Sequence, residues 1–232
     1  MKASDRIKAI CAAVAEGETV ADIGTDHAYV PLILYKSQTS PSVIMCDISE
    51  ESLSKARSSF QNANIVMPES AFRVGNGLDV IKAGEVDDVI IAGLGGLTIV
   101  DILSETDKLY SFKKLILQPR TAQGRLRAWL VRKGFDIVNE QLVREGRFIC
   151  EIITAVPGEP RESIKLNLEP ESIKWEMPYW VANLKNPLVN EFISYKIDRE
   201  NRILKSMENS KNIPAEDVKA IEDNIVYLES LL

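Results

Sequence analysis

The chain has 232 residues with a formal charge of −6, 45% apolar and 27% charged content, and a mean hydropathy near zero. That leaves room for one sizeable core plus an appendage, and excludes a largely disordered or membrane-embedded protein. No apolar run approaches the ~18–20 residues of a membrane span, and the opening MKASDRIKAICAAVAEG lacks the pattern of a signal peptide, so a cytoplasmic protein with no membrane partner is expected.

Ile7, Ile10, Cys11 and Val14 recur at helical spacing, which predicts an amphipathic helix over 4–15. The period then changes. Short β-rich runs at 19–23, 43–46, 71–74, 88–92 and 115–118 alternate with helical stretches near 29–37, 49–62, 77–83, 96–107 and 121–133, the pattern of a parallel sheet with helices on both faces. Phe135–Val143 and Arg147–Val156 are separated only by Arg144-Glu145-Gly146, which fits a hairpin of antiparallel strands. Pro157-Gly158-Glu159-Pro160 is a breaker cluster and divides the chain into an α/β domain, 1–157, and a C-terminal part, 158–232. In the latter, Trp175, Met177, Tyr179 and Trp180 crowd around Pro178. A helix is expected over 187–212, with Val189, Ile193, Ile197, Leu204 and Met207 near one stripe. After the breaker Pro214, Val218, Ile221, Ile225, Leu228 and Leu232 step like a coiled-coil seam, so the chain should close with an antiparallel helical hairpin.

Cys11, Cys46 and Cys150 are scattered and form no CxxC, so they read as small buried hydrophobes; with one histidine, His27, no metal is expected. Chemistry concentrates at the predicted strand ends, where a doubly wound sheet collects its ligand. In VADIGTDHAYVP, residues 20–31, Gly24 lets the backbone approach a ligand and Asp22 can satisfy turn amides. Asp47 follows at the distance from which an acid reaches adenosine ribose hydroxyls. G-x-G-x-x-G is absent and Asp26 would repel a pyrophosphate, which favours a cofactor carrying sulfonium and ammonium groups. Gly75-Asn76-Gly77 ends the third strand, where Asn76 could reach adenine, and Gly93-Leu94-Gly95-Gly96 ends the fourth, its three glycines leaving the backbone bare. Between Asp107 and Asp136 there is no acid, but Lys108, Lys113, Lys114, Arg120, Arg125, Arg127, Arg132 and Lys133 occur, a candidate track for an anionic partner. Arg125 and Arg132 share a helical face, whereas Arg127 points elsewhere and reads as solvated.

DIGTDHAYVP, GNGLDVI, IIAGLGG and LILQPR, in this order and spacing, with NPLVNEFISYKIDRENRIL at 186–204, resemble the bacterial tRNA (adenine-22-N1)-methyltransferase family, the TrmK type. The resemblance implies a class I methyltransferase sheet, S-adenosylmethionine as donor with S-adenosylhomocysteine as product, and N1 of an adenine in the tRNA D-arm region as acceptor. It implies Asp22, Gly24, Asp26, His27, Asp47 with Ile48, Gly75, Asn76, Gly77, Gly93, Leu94 and Gly95 as the cofactor site. N1 of neutral adenine has a free lone pair and needs no strong base, so Asp26 is expected to stabilise the developing positive charge or else to bind the cofactor amino group. His27 or Tyr29 would orient or stack the base. Arg120, Arg125 and Arg132 are the expected tRNA contacts, and the target base must be unpaired or flipped out. A nicotinamide oxidoreductase and a noncatalytic helical-hairpin interaction protein are the competing readings.

Overall fold

The alternation of β-rich and helical stretches is what the chain builds. The computed structural model describes residues 3–160, 167–177, 186–208 and 213–232. Its elements are α1 (Asp5–Ala12), β1 (Val20–Ile23), α2 (Tyr29–Lys36), β2 (Val43–Asp47), α3 (Glu50–Asn62), β3 (Phe72–Val74), β4 (Asp88–Ala92), α4 (Gly96–Ser104), β5 (Lys114–Gln118), α5 (Gln123–Arg132), β6 (Phe135–Glu145), β7 (Phe148–Pro157), α6 (Leu188–Glu208) and α7 (Ala215–Glu229). They fall into two compact units, Met1–Glu176 and Met177–Leu232.

In the first unit the strands form a sheet in the order β3-β2-β1-β4-β5-β7-β6. β1 to β5 pair in parallel, and β7 runs antiparallel to both β5 and β6. This is the class I methyltransferase arrangement, a doubly wound α/β sheet. Every residue of β1 is buried, as are the first four of β2 and of β4, because helices cover both faces of a parallel sheet. Ile10, Val20, Leu34, Met45, Leu53 and Phe60 belong to one core cluster, with the Phe60 ring edge-on to Tyr35 and Phe72. Local sequence agrees: Ser4 and Ser49 cap α1 and α3 by accepting from Ile7 N and Ser52 N, and Glu50 and Glu51 stand in the first turn of α3. At the edge where the parallel strands begin, Lys114 Nζ lies 2.6 Å from Glu18 Oε2 and 3.2 Å from the buried Asp88 Oδ2. All three cysteines are free; Cys46 is buried and the other two partly so.

The structure departs from the expected elements in four places. No helix forms over 77–83. There Asp79 N and Ile81 N make only short turns to Asn76 O and Leu78 O, and Lys108 Nζ takes the carbonyls of Leu78 and Ile81 at 3.0 and 2.8 Å. In the hairpin, Arg144 and Glu145 extend β6, and the connection is Gly146-Arg147 with Gly146 at φ +60°, as suits a two-residue turn with glycine first. The first unit also continues past Pro157 to Glu176. Its described segment 167–176 carries a short 3-10 turn, Ile173–Trp175, that seats Trp175 in full burial.

The fourth departure is Arg127, which is fully buried rather than solvated. Its Nε and Nη2 lie 2.7 and 2.5 Å from Glu140 Oε1 and Glu151 Oε2, and Nη1 donates to Trp175 O at 3.4 Å. Burial opposes the charge, but Glu140 and Glu151 more than offset it and hold the guanidinium above its usual range. Beside this cluster Glu176 Oε1 accepts from Gly124 N at 3.2 Å, a second bond between the segment and α5.

The second unit is a helical hairpin in which α6 packs on α7. Asn224 Nδ2 donates to Glu200 Oε2 at 3.1 Å, joining the middles of two antiparallel helices. Phe192, Ile193 and Leu228 are buried, whereas Leu232, past the end of α7, is 61% exposed and leaves the seam. Polar Lys196 and Glu200 are buried in the same stripe, which apolar spacing alone does not disclose; Lys196 Nζ sits 4.4 Å from the Phe192 ring centroid. Of the expected 187–212 helix, 209–212 lie outside the described residues, as do Pro178, Tyr179 and Trp180.

Arg127→Met should destabilise the first unit by about 3–5 kcal/mol, because two buried carboxylates lose their cation. Combining it with Glu140→Gln and Glu151→Gln should recover most of that loss. Urea unfolding of the single and triple variants checks this, and equal stability of the two would remove the cluster as the cause.

Candidate functional site

Each candidate residue outside α5 stands where a parallel strand gives up the chain. After β1, Gly24 N and Thr25 N both donate to Cys46 O of β2, at 2.8 and 3.1 Å. Gly24 has φ +76°, which glycine alone adopts readily, and a Cβ there would meet Leu94 Cδ1 at 3.4 Å. The turn after β1 and the loop after β4 therefore touch through Leu94. Asp22 is buried beneath the turn. Burial pushes its carboxyl up to about 7 against a hydrogen bond from Thr25; Asp47 adds to the rise and Arg6 opposes it.

Asp26 and His27 are exposed at the mouth. Asp26 Oδ1 lies 3.1 Å from Lys55 Nζ and Oδ2 lies 3.2 Å from His27 Nε2. The His27 ring stacks on Tyr29, centroids 5.2 Å apart and 8° from parallel. Between them Ala28 is left-handed, φ 51°, and caps α2 without a side-chain hydrogen bond. A non-glycine residue held there costs about 1–2 kcal/mol, strain of the kind that gathers at functional sites. Lys55, on α3, was missed in the sequence, where nothing separates it from other exposed helical lysines. The hydrogen bond to Asp26 raises its pKa.

Asp47 Oδ1 accepts from Ser49 N at 2.8 Å, and its other oxygen has no hydrogen-bond partner among the described residues. The next side chain, Ile48, is 74% exposed. After β3, Asn76 Nδ2 donates to Glu105 Oε2 at 3.0 Å, between Gly75, packed against Val80, and Gly77 at φ +50°. After β4, Gly93 N donates to Gln118 O and Arg120 N to Leu94 O, so this loop is laced to the one after β5. The Arg120 guanidinium lies over Gly93, with Nε and Nη2 3.8 Å from where a Cβ would stand. Gly95 lies against Thr121. Gly96, the third glycine of that run, is needed for packing: a Cβ there would fall 2.5 Å from Thr121 O.

Helix α1 straps this edge. Arg6 Nε lies 2.6 Å from Glu145 Oε2, Arg6 Nη1 donates to Gln118 Oε1 at 3.1 Å, and Ser4 Oγ donates to Glu145 Oε1 at 2.7 Å. Burial would raise the Glu145 carboxyl, but hydrogen bonds from Ser4 and Arg6, with the charges of Arg6 and Arg120, bring it below its usual value.

The basic window divides. Lys108, Lys113, Lys114 and Arg127 serve the fold, Lys113 through an ion pair with Asp87 at 2.8 Å. Arg125 and Arg132 share a face as expected, but Arg125 pairs with Glu171 and Arg132 Nη2 donates to Leu168 O at 2.6 Å, so both hold the chain's own segment 167–176. Arg120 is the member of the expected tRNA contacts that stands at the strand-end edge.

A methyltransferase-domain family matches residues 3–153. The tRNA (adenine(22)-N(1))-methyltransferase of Bacillus subtilis (strain 168) is 32% identical over 160 residues, 68% of this chain and 67% of that protein. The chain belongs to the tRNA (adenine(22)-N(1))-methyltransferase family. The crystal structure of the B. subtilis m1A22 tRNA methyltransferase TrmK superposes with a TM-score of 0.84 at 25% identity, covering 99% of this chain and 98% of that one. The fold is also that of M. capricolum TrmK, solved in complex with S-adenosylhomocysteine, at a TM-score of 0.79, 24% identity and coverage of 99% and 97%. Membership of this family leaves the nicotinamide and noncatalytic readings without support.

The raised Asp22 carboxyl makes a pH prediction. A folded pKa near 7 against 3.8 unfolded gives stability that is full below the unfolded value and lost as pH rises towards 7. Between pH 5 and pH 8 the cofactor-free protein should lose on the order of a few kcal/mol from this group, and Asp22→Asn should lose correspondingly less. Asp88, which burial also raises to about 7, leaves a residual slope of the same sign in both proteins. Urea unfolding at the two pH values measures the difference; identical slopes would refute the assignment.

Proposed function

We propose that this chain transfers the methyl group of S-adenosylmethionine to N1 of adenine 22 in the D-arm region of tRNA, releasing S-adenosylhomocysteine. The observation that carries this reading is the gathering of Asp22, Asp26 and Asp47 at one edge of a class I methyltransferase sheet. Three carboxylates suit a ligand bearing sulfonium and ammonium charge and would repel a pyrophosphate. Membership of a family whose B. subtilis member is named for this reaction supports it. When bound, the donor supplies an electrophilic methyl group.

The residues divide the remaining work. The open oxygen of Asp47 would take the ribose hydroxyls, and Ile48 and Asn76, the latter flanked by Gly75 and Gly77, would hold the adenine. Asp22 would pair with the ammonium group, and Gly24, Gly93, Leu94 and Gly95 would leave room for the methyl-bearing part. Asp26 offsets the positive charge that grows on the target ring, and the stacked His27–Tyr29 pair offers that ring a platform. Asp26 must first release Lys55. The pair is about half exposed, so exchanging it costs little. Arg120 meets a phosphate and the C-terminal hairpin holds the tRNA body by shape. The reaction belongs in the cytoplasm, with tRNA; among the described residues no helix is long and apolar enough to cross a membrane.

Incubation with unmodified tRNA and labelled donor, followed by nucleoside analysis, should yield 1-methyladenosine, and label in any other nucleoside would overturn the assignment. Asp47→Ala should weaken donor binding by about 1.5–3 kcal/mol in calorimetry. Asp26→Asn should lower turnover about a hundredfold, equivalent to about 2.7 kcal/mol, with donor affinity nearly kept. Lost affinity with normal saturated turnover would instead make Asp26 a cofactor ligand.

A further inference from the structure

The hairpin of β6 and β7 reaches past the edge at which the parallel strands end. β5 stays beside β7 only as far as Leu117, opposite Ile153, whereas β6 and β7 remain paired out to Glu145 and Phe148. β5 ends at Gln118, so at ~3.3 Å per residue the arm extends roughly 13 Å beyond it on the side of the candidate site. It is a braced arm, because Ser4 and Arg6 of the α1 strap both bond to Glu145 near its tip.

Its tip has an unusual composition for an exposed turn. Phe148, paired with Glu145 across the strands, is 61% exposed, and the Arg147 guanidinium lies 5.0 Å from the centroid of its ring. An exposed ring carrying a stacked guanidinium packs on nothing in its own core, yet offers an apolar face and a cation to a base and its phosphate. Arg120 lies on the same side, close enough for its charge to act on Glu145, and itself covers Gly93 of the candidate transfer loop. The arm is thus continuous with the place where the target adenine has to arrive.

N1 lies on the pairing edge of adenine, so a paired target has to leave the helix, and its departure opens a gap in the stack. An apolar side chain can enter a nucleic-acid stack between two bases, as the wedges of architectural proteins do. We propose that the β6–β7 arm contacts the tRNA D-arm and that Phe148, backed by Arg147, enters the stack at the position the target adenine leaves. This rests on the function proposed above. Two copies of a chain whose net charge is −6 repel each other as wholes, whereas the Arg147 guanidinium on the ring draws the closely spaced phosphates of an RNA.

The test uses two tRNAs: one of ordinary sequence, and one in which the nucleotide opposite the target is changed so that the adenine is unpaired. With the paired tRNA, Phe148→Ala should lower kcat/KM by roughly ten- to a hundredfold, the scale of one lost aromatic–base stack. With the unpaired tRNA the loss should shrink to a few-fold. Phe148→Trp should retain activity on both, and calorimetry should find S-adenosylhomocysteine affinity unchanged in either variant. Equal losses on both tRNAs, or no loss on either, would overturn the proposal. So would a Phe148→Ala protein that methylates normally but changes its sedimentation, because the ring would then be a contact between copies. If the wild type labels neither tRNA, the underlying function fails, and this proposal with it.

Discussion

In a parallel sheet the strands all give up the chain at the same edge, and each such exit leaves backbone amides that no strand satisfies. β1, β2, β4 and β5 hand the chain to a helix there and β3 to a turn, at consecutive positions of one sheet, so their loops converge whatever their sequences. The site is the use made of that convergence. Gly24 and Gly93 let two of the loops come close, Leu94 joins them, and the carboxylates of Asp22 and Asp47 bring the charge. α1 closes the edge from outside through Arg6, which reaches the ends of both β5 and β6.

What the sequence made legible follows from the same constraint. Strands buried on both faces read as apolar runs, glycines and acids collect at their ends, and their spacing located the residues at every loop of the edge. Contacts between segments distant in sequence were not legible. Lys55 is one exposed helical lysine among others until α3 brings it to Asp26. Residues 77–83 have a helix-like apolar rhythm, but Lys108, remote in sequence, takes the carbonyls that a helix would have used. The length of the β6–β7 arm is a matter of register, which a single strand does not carry.

Arg127 shows how a charge count misleads. In the sequence it is one of eight bases in an acid-free window; in the fold its compensating acids come from β6 and β7. Arg125 and Arg132, on the same helix, turn to Glu171 and Leu168. Helix α5 is therefore a clasp for the segment that follows the sheet, and the positive character of the window is largely spent within the protein. Arg120 escapes because it precedes the helix and sits on the loop.

The strand order also bears on how the chain is made. β7 lies between β5 and β6, so β6 leaves the ribosome before the strand that will join it to the sheet exists. Until residues 148–157 emerge, β5 presents an open edge and β6 is an unpaired strand, the combination that invites intermolecular pairing. Insertion of β7 satisfies both at once. Arg127 waits in the same way, since Glu151 arrives with β7 and the carbonyl of Trp175 later still. A nascent chain stalled near residue 145 would thus carry a formed parallel sheet, an exposed edge and a buried-to-be cation without its partners, a natural substrate for chaperones.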